Sequence, residues 1–253
     1  MIKLNGLLKK ASRLPSSVLI TGDDFRANES YKAIRTNILH LLNDSDNKSV
    51  LITSPYAGAG KTTTTSNLAI TFAQLGKKVL IIDADMRKPS IHKLFSLPLS
   101  PGLSDILSGN KKGDFVHNTK FDNLHILCAG NPPDNPAELL SNEIFKNLLK
   151  ENYENYDYIF VDAPPVDAVT DAVIISQLVC GTIIVIRQNH TEKDTLIRTV
   201  NRIKKVNANI VGYILNAIDY EKYSYKYGHY SGKYTKKYYN YYRSAVEKDN
   251  TTK

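Results

Sequence analysis

Apolar residues along this chain gather into short, nearly continuous runs, and the stretches between them show helical spacing. Ser49–Ser54 (SVLITS), Lys78–Ala84 (KVLIIDA), Leu124–Cys128 (LHILC), Tyr156–Asp162 (YDYIFVD), Gly181–Arg187 and Asn209–Asn216 (NIVGYILN) read as strands. Lys61–Leu75, stopped by Gly76, reads as a helix, as do Pro136–Glu151, Asp171–Leu178 and Asp194–Val206. Residues 86–120 read as loop and short helices, Leu103–Leu107 among them. Ahead of the first strand, Asn28–Leu42 predicts a helix capped by Asn28 beside Glu29, with Ala33, Ile34, Ile38, Leu41 and Leu42 on one face. Strands alternating with helices, and strands apolar on both faces, predict an α/β fold: a mostly parallel sheet with helices on both faces. Ligands of such sheets bind at the carboxyl ends of the strands.

The pattern divides the chain. Residues 1–27 predict an extended lead-in segment, 28–218 one α/β domain, and 219–253 a tail of different composition. Asp219–Arg243 holds ten of the 16 tyrosines and no Leu, Ile, Val or Phe, so it cannot bury a core and predicts a flexible tail. The net charge of +8 points to an anionic partner, and part of the excess lies in this tail. Two distant cysteines, Cys128 and Cys180, argue against a disulfide framework or a zinc site and fit a reducing compartment. No apolar run approaches the roughly 18 residues of a membrane span, and the first 15 residues lack the apolar stretch of a signal peptide. The expectation is a soluble protein whose membrane contact, if any, is peripheral.

Chemistry concentrates where strands end. Ser54–Thr63 (SPYAGAGKTT) follows one strand and opens a helix, the context of a phosphate-binding loop. Gly58, Ala59 and Gly60 offer backbone N–H groups, Lys61 a point charge, Thr62 a hydroxyl for Mg²⁺, and the helix start through Thr63 its positive dipole end. Pro55 stands where the strict G-x₄-G-K-[ST] pattern has its first glycine. The second strand ends in Asp83-Ala-Asp85-Met-Arg87, two carboxylates that can divide metal binding and proton acceptance. The strand Tyr158–Asp162 ends in an acid followed by Pro164 and Pro165, a Walker B arrangement that places Asp162 near the metal. Glu29, Lys32 and Arg35 are spaced i, i+3, i+6 along the first helix. The tail has two readings: a nucleic-acid-binding aromatic and basic stretch, or a set of phosphate acceptors.

Together these motifs resemble the bacterial tyrosine kinases of capsular and exopolysaccharide assembly, most closely the split type whose kinase is a separate cytosolic chain. The resemblance runs from about residue 25 into the tail. It implies a P-loop NTPase fold that uses ATP and Mg²⁺, with Lys61, Asp83 and Asp85 catalytic. Thr62, Asp85 and Asp162 would serve the metal. Tyr220, Tyr223, Tyr225, Tyr227, Tyr230, Tyr234, Tyr238, Tyr239, Tyr241 and Tyr242 would accept phosphate in trans. Glu29, Lys32 and Arg35 match the family's E-x₂-R-x₂-R self-association pattern, with Lys32 in place of its middle arginine. The resemblance further implies a ring-like homo-oligomer that phosphorylation loosens and a membrane-embedded activator holding the chain at the inner face of the membrane. It also implies protein tyrosine substrates and a cognate tyrosine phosphatase, with no nucleic-acid partner. The competing expectation is a partitioning-type ATPase acting as a nucleotide-switched module on DNA or membrane. Those proteins carry an early lysine in K-G-G-x-G-K-[ST], where this chain has Tyr56, and they lack such a tail. A nucleotide-gated scaffold is a third expectation.

Overall fold

A computed structural model describes residues 25–110 and 113–218. The expected extension of residues 1–24 and flexibility of residues 219–253 lie outside the described residues, as do all ten tail tyrosines. In chain order the elements are α1 (Phe25–Leu41), β1 (Ser49–Thr53), α2 (Lys61–Gln74), β2 (Val79–Asp83), α3 (Ile91–Phe95), α4 (Leu103–Leu107), β3 (Val116–Asn118) and β4 (Leu124–Leu127). They continue with α5 (Pro136–Ser141), α6 (Glu143–Tyr153), β5 (Tyr158–Asp162), α7 (Asp171–Ser176), β6 (Gly181–Arg187), α8 (Lys193–Lys204) and β7 (Ile210–Asn216). The strands form one sheet in the order β3-β4-β2-β5-β1-β6-β7. Every pairing is parallel except β3 with β4.

Why the strands read as unbroken apolar runs is now visible, because alternate residues serve two cores. Val50 and Ile52, Val79 and Ile81, and Tyr158 and Phe160 pack with α1, α2 and α3 on one face. Leu51, Leu80, Ile82, Ile159 and Val161 pack with α4 to α8 on the other. On the first face Phe72 of α2 is the hub, with ring centroids 4.4 Å from Tyr158 and 5.3 Å from Phe160. Both faces of the parallel strands are thus covered, as such sheets require.

Several local expectations change. α1 begins at Phe25, so Asn28 lies inside the first turn and is not its cap. Its buried line is Ile38 and Leu42, whereas Ala33 and Leu41 face outward, Leu41 being 54% exposed. Pro136–Glu151 is two helices, broken where Asn142 adopts an extended ψ of 151°. Leu140 and Phe145 are both fully buried. Five residues apart, they would diverge by about 140° on one continuous helix, and the break lets both reach the sheet. The antiparallel β3 is three residues of mostly exposed, polar sequence, a pattern that carries no strand signal.

Candidate active site

The phosphate loop leaves the carboxyl end of β1 and enters α2. Gly58 at φ 83° and Gly60 at φ 94° occupy left-handed backbone that side chains rarely adopt, which turns the loop back on itself. Three side chains fix the turn. The Ser54 hydroxyl donates to Tyr56 O at 2.8 Å, an Arg187 Nη donates to Gly58 O at 2.9 Å, and the Asn216 amide donates to Ala59 O at 2.9 Å. A Cβ on Gly60 would run into the Asn216 amide. Gly60→Ala is therefore expected to weaken nucleotide binding by at least about tenfold while leaving the fold intact, since the strain is local. Calorimetric titration with ATP checks this, and unchanged affinity would contradict the role given to the turn.

Lys61, the first residue of α2, bridges the second and third motifs. Its Nζ lies 2.9 Å from Asp85 Oδ2 and 3.6 Å from Asp162 Oδ2. Burial alone would lower its pKa, but Asp162 and Asp85 outweigh burial and hold the ammonium above its ordinary value. Thr62 donates to Asp162 Oδ2 at 2.7 Å, and Thr65 donates to Asp162 Oδ1 at 3.3 Å. Asp83 is fully buried and accepts three backbone N–H bonds, from Asp85 at 3.2 Å, Ser90 at 3.3 Å and Ile91 at 3.2 Å. These fold the loop after β2 around its carboxyl. Burial and the Asp162 charge nevertheless push the Asp83 pKa up to about 8, and burial raises Asp162 as well. Asp83 and Asp162 are adjacent partners in the β2–β5 register, so their mutual repulsion is built into the sheet.

Three buried carboxylates against one ammonium leave negative charge uncompensated. Among the described residues no three His, Cys, Asp or Glu side chains can hold a metal by themselves. One hydroxyl and one carboxylate side by side, Thr62 and Asp162, instead fit a hard divalent cation whose shell phosphate oxygens and water complete. Asp85 belongs to the same cluster, with its Oδ2 turned to Lys61.

Some neighbours of the site had no role in the sequence reading. Arg87 forks onto the fully buried Asp171, with contacts of 3.0 and 3.2 Å, and so ties the loop after β2 to the start of α7. Ser90 Oγ stands 3.4 Å from Thr62 Oγ1. Arg187 and Asn216 end β6 and β7, and their place at strand carboxyl ends was the signal that could have found them. Tyr56, where partitioning ATPases have lysine, is held with its hydroxyl 3.2 Å from Thr191 Oγ1. The charged row on α1 does not stand together. Lys32 pairs with Glu29 at 2.8 Å on the surface, while Arg35 Nη1 donates to Thr71 O of α2 at 2.6 Å. Both cysteines are free, Cys128 buried and Cys180 half-buried.

This geometry defines a nucleotide-binding P-loop protein, and comparison with known proteins agrees. Residues 47–212 match the family described as AAA domain. The tyrosine-protein kinase YwqD of Bacillus subtilis is 39% identical over 225 residues, covering 87% of this chain and 94% of YwqD. The tyrosine-protein kinase ptk of Acinetobacter johnsonii is 38% identical over 84% of this chain, which spans only 29% of that longer protein. The kinase domain of the Escherichia coli tyrosine kinase ETK superposes with a TM-score of 0.77 at 30% identity, over 83% of this chain and 82% of that domain. The Pyrococcus furiosus cell division ATPase MinD shares the fold alone, at a TM-score of 0.59 and 23% identity over 68% of this chain and 74% of that one. The chain belongs to the bacterial tyrosine-protein kinases, and its enzyme class is protein-tyrosine kinase. No helix among the described residues is long and apolar enough to cross a membrane.

Proposed function

We propose that this chain transfers the γ-phosphoryl group of ATP to tyrosines of its own C-terminal segment, in trans within a homo-oligomer. By this route it regulates capsular or exopolysaccharide synthesis and export. The observation that carries the reading is the cluster of Lys61, Thr62, Asp83, Asp85 and Asp162 at adjoining strand ends beside the phosphate loop. Residues 28–218 act as the kinase domain behind the lead-in of residues 1–27, and residues 219–253 are the substrate. Gly58 to Thr63 bind the phosphates, Lys61 neutralises the β- and γ-phosphates, and Thr62, Asp162 and Asp85 hold Mg²⁺. When bound, Mg²⁺ neutralises charge on the transferring group.

A tyrosine hydroxyl attacks the γ-phosphorus, the bond to the β–γ bridging oxygen breaks, and ADP leaves. Asp83 orients the hydroxyl and takes its proton. A pKa of about 8 lies in the range where a carboxyl can both take and release a proton near neutral pH. Tyrosines Tyr220 to Tyr242 are the acceptors, and Glu29, Lys32 and Arg35 contribute to the contact between subunits. A membrane-embedded activator places the chain at the inner face of the membrane, other protein tyrosines serve as further substrates, and a tyrosine phosphatase reverses the reaction.

One experiment tests acceptor and switch together. The chain is incubated with ATP, Mg²⁺ and the activator's cytoplasmic end, then mapped by mass spectrometry and sized at matched salt. Phosphate is expected on several tyrosines between Tyr220 and Tyr242, each adding roughly −1.5 to −2 charge, and the oligomer is expected to fall apart. ATP hydrolysis without tyrosine phosphate overturns the acceptor assignment, and equal size before and after removes the switch.

A further inference from the structure

The three carboxylates of the site are not supported alike. Asp162 is the last residue of β5, and the hydroxyls of Thr62 and Thr65 donate to it. Asp83 is the last residue of β2, and three backbone N–H groups hold its carboxyl. Asp85 lies two residues past the strand end, where the sheet ladder no longer fixes it. Its place depends on a tight turn. The Lys88 N–H closes that turn onto Asp85 O at 3.2 Å and also donates to Asp85 Oδ1 at 3.1 Å. With Oδ1 held in this way, Oδ2 faces Lys61 Nζ at 2.9 Å.

Met86 and Arg87 are the central residues of the turn. Met86 is fully buried in the second core. Arg87 reaches out of the turn to Asp171, with Nε donating to Oδ2 at 3.0 Å and Nη2 to Oδ1 at 3.2 Å. Asp171, the first residue of α7, is a firm anchor because its side chain is fully buried. A buried carboxylate is costly unless a cation answers it, and a two-point fork fixes the guanidinium where one bond would let it swing.

The segment leading from Asp162 to Asp171 is itself fastened to β1 and the phosphate loop. Thr53 Oγ1 donates to Pro164 O at 2.8 Å, Val166 N to Ser54 O at 2.9 Å and Asp167 N to Pro55 O at 3.2 Å. A continuous brace therefore runs from the phosphate loop through residues 164–171 and Arg87 to the turn that carries Asp85. We propose that Arg87 and Asp171 are positioning residues for phosphoryl transfer, holding the turn 85–88 so that Asp85 stays in register with Lys61. The proposal rests on the assignment of Asp85 to the metal and the transfer step. Neither side chain touches the reacting atoms in this role. Its weight comes from the steepness of catalysis with position, since a shift of about 1 Å can cost about a hundredfold in rate.

Removing Arg87 alone would leave Asp171 buried without its cation, which can unfold the chain. The test therefore combines Arg87→Met with Asp171→Asn, which leaves no unpaired charge, and sets it beside Arg87→Lys. On the full chain, hydrogen exchange, ATP affinity by calorimetry and the initial rate of tyrosine phosphorylation at saturating ATP are compared with wild type. In the double variant, amides of residues 85–88 are expected to exchange at least about tenfold faster while α2 and β5 stay protected. ATP affinity is expected to remain within about threefold and the rate to fall by at least about tenfold. Arg87→Lys, which keeps the charge without the fork, is expected to fall between wild type and the double variant. Unchanged exchange at 85–88 overturns the brace, and faster exchange with an unchanged rate overturns the positioning role. Protection lost in α2 and β5 as well, with ATP affinity falling as far as the rate, also overturns it, because the pair would then support the fold as a whole. Exchange does not depend on transfer, so failure of the acceptor assignment is told apart from failure of the brace.

Discussion

Lys61→Met is expected to lose self-phosphorylation by at least about a hundred- to a thousandfold, the scale of losing one charge-stabilising donor in an active site. The same chain is expected to be phosphorylated normally by an active partner lacking residues 219–253, since its own acceptor segment is untouched. A Lys61→Met chain labelled only by a partner supports transfer in trans. Self-labelling of Lys61→Met near the wild-type rate would sink the assignment of Lys61 to the phosphates. The substitution has a second effect that a bystander lysine would not show. Lys61 is the ammonium set against Asp85 and Asp162, with Asp83 beside them. Without it Asp83 and Asp162, already raised by burial, hold their protons more tightly still. The empty variant should therefore lose stability relative to wild type as pH rises from 5 to 8, seen as a widening gap in thermal midpoint.

Asp83→Asn is expected to slow transfer by about a hundred- to ten-thousandfold, the range of losing a proton acceptor, while ATP affinity stays within a few-fold. Stability should move the other way. The Asp83 carboxyl titrates at about 8 when folded against an ordinary value of 3.8. Across that window the folded chain keeps a proton that the unfolded chain has released, so this group makes stability fall as pH rises from about 4 to 8. Asparagine cannot titrate and can still accept backbone N–H bonds at its carbonyl oxygen. The variant should be more stable than wild type at pH 8 and nearly equal at pH 4, with a flatter pH profile in thermal melts. A slow enzyme with an unchanged profile would mean that Asp83 is not the strained carboxyl. A flattened profile with full activity would move the proton acceptor to Asp85.

Much of this was legible in the chain because each signal is local. The parallel sheet follows from the period and length of the apolar runs, and their continuity reflects strands packed on both faces. The phosphate loop is read from glycines at Gly58 and Gly60 placed between a strand and a helix, since the conformation required there is one that glycine adopts freely. Asp83 and Asp162 were found because they end strands, and Asp85 because it follows Asp83 by two residues.

Local signals failed where a distant partner decides the outcome. The break at Asn142 exists because Leu140 and Phe145 must both reach the sheet, a demand made by packing and not by the residues at the break. Arg35 looked like one of three charges on a surface row, but its side chain is claimed by a carbonyl on α2, 36 residues away. Asp171 starts a helix as read, but nothing local showed that it is also the buried counter-charge of Arg87.

The sequence by itself determined that this protein binds a nucleotide at strand ends and which side chains gather there, because backbone conformation and strand period are set residue by residue. Only the tertiary structure decided how those side chains act on one another. It buried Asp83 and set it beside Asp162 across two strands, and so moved a carboxyl to about 8 despite the ammonium the two share. Charges interact through space, and the distances between β1, β2 and β5 exist only once the sheet has formed.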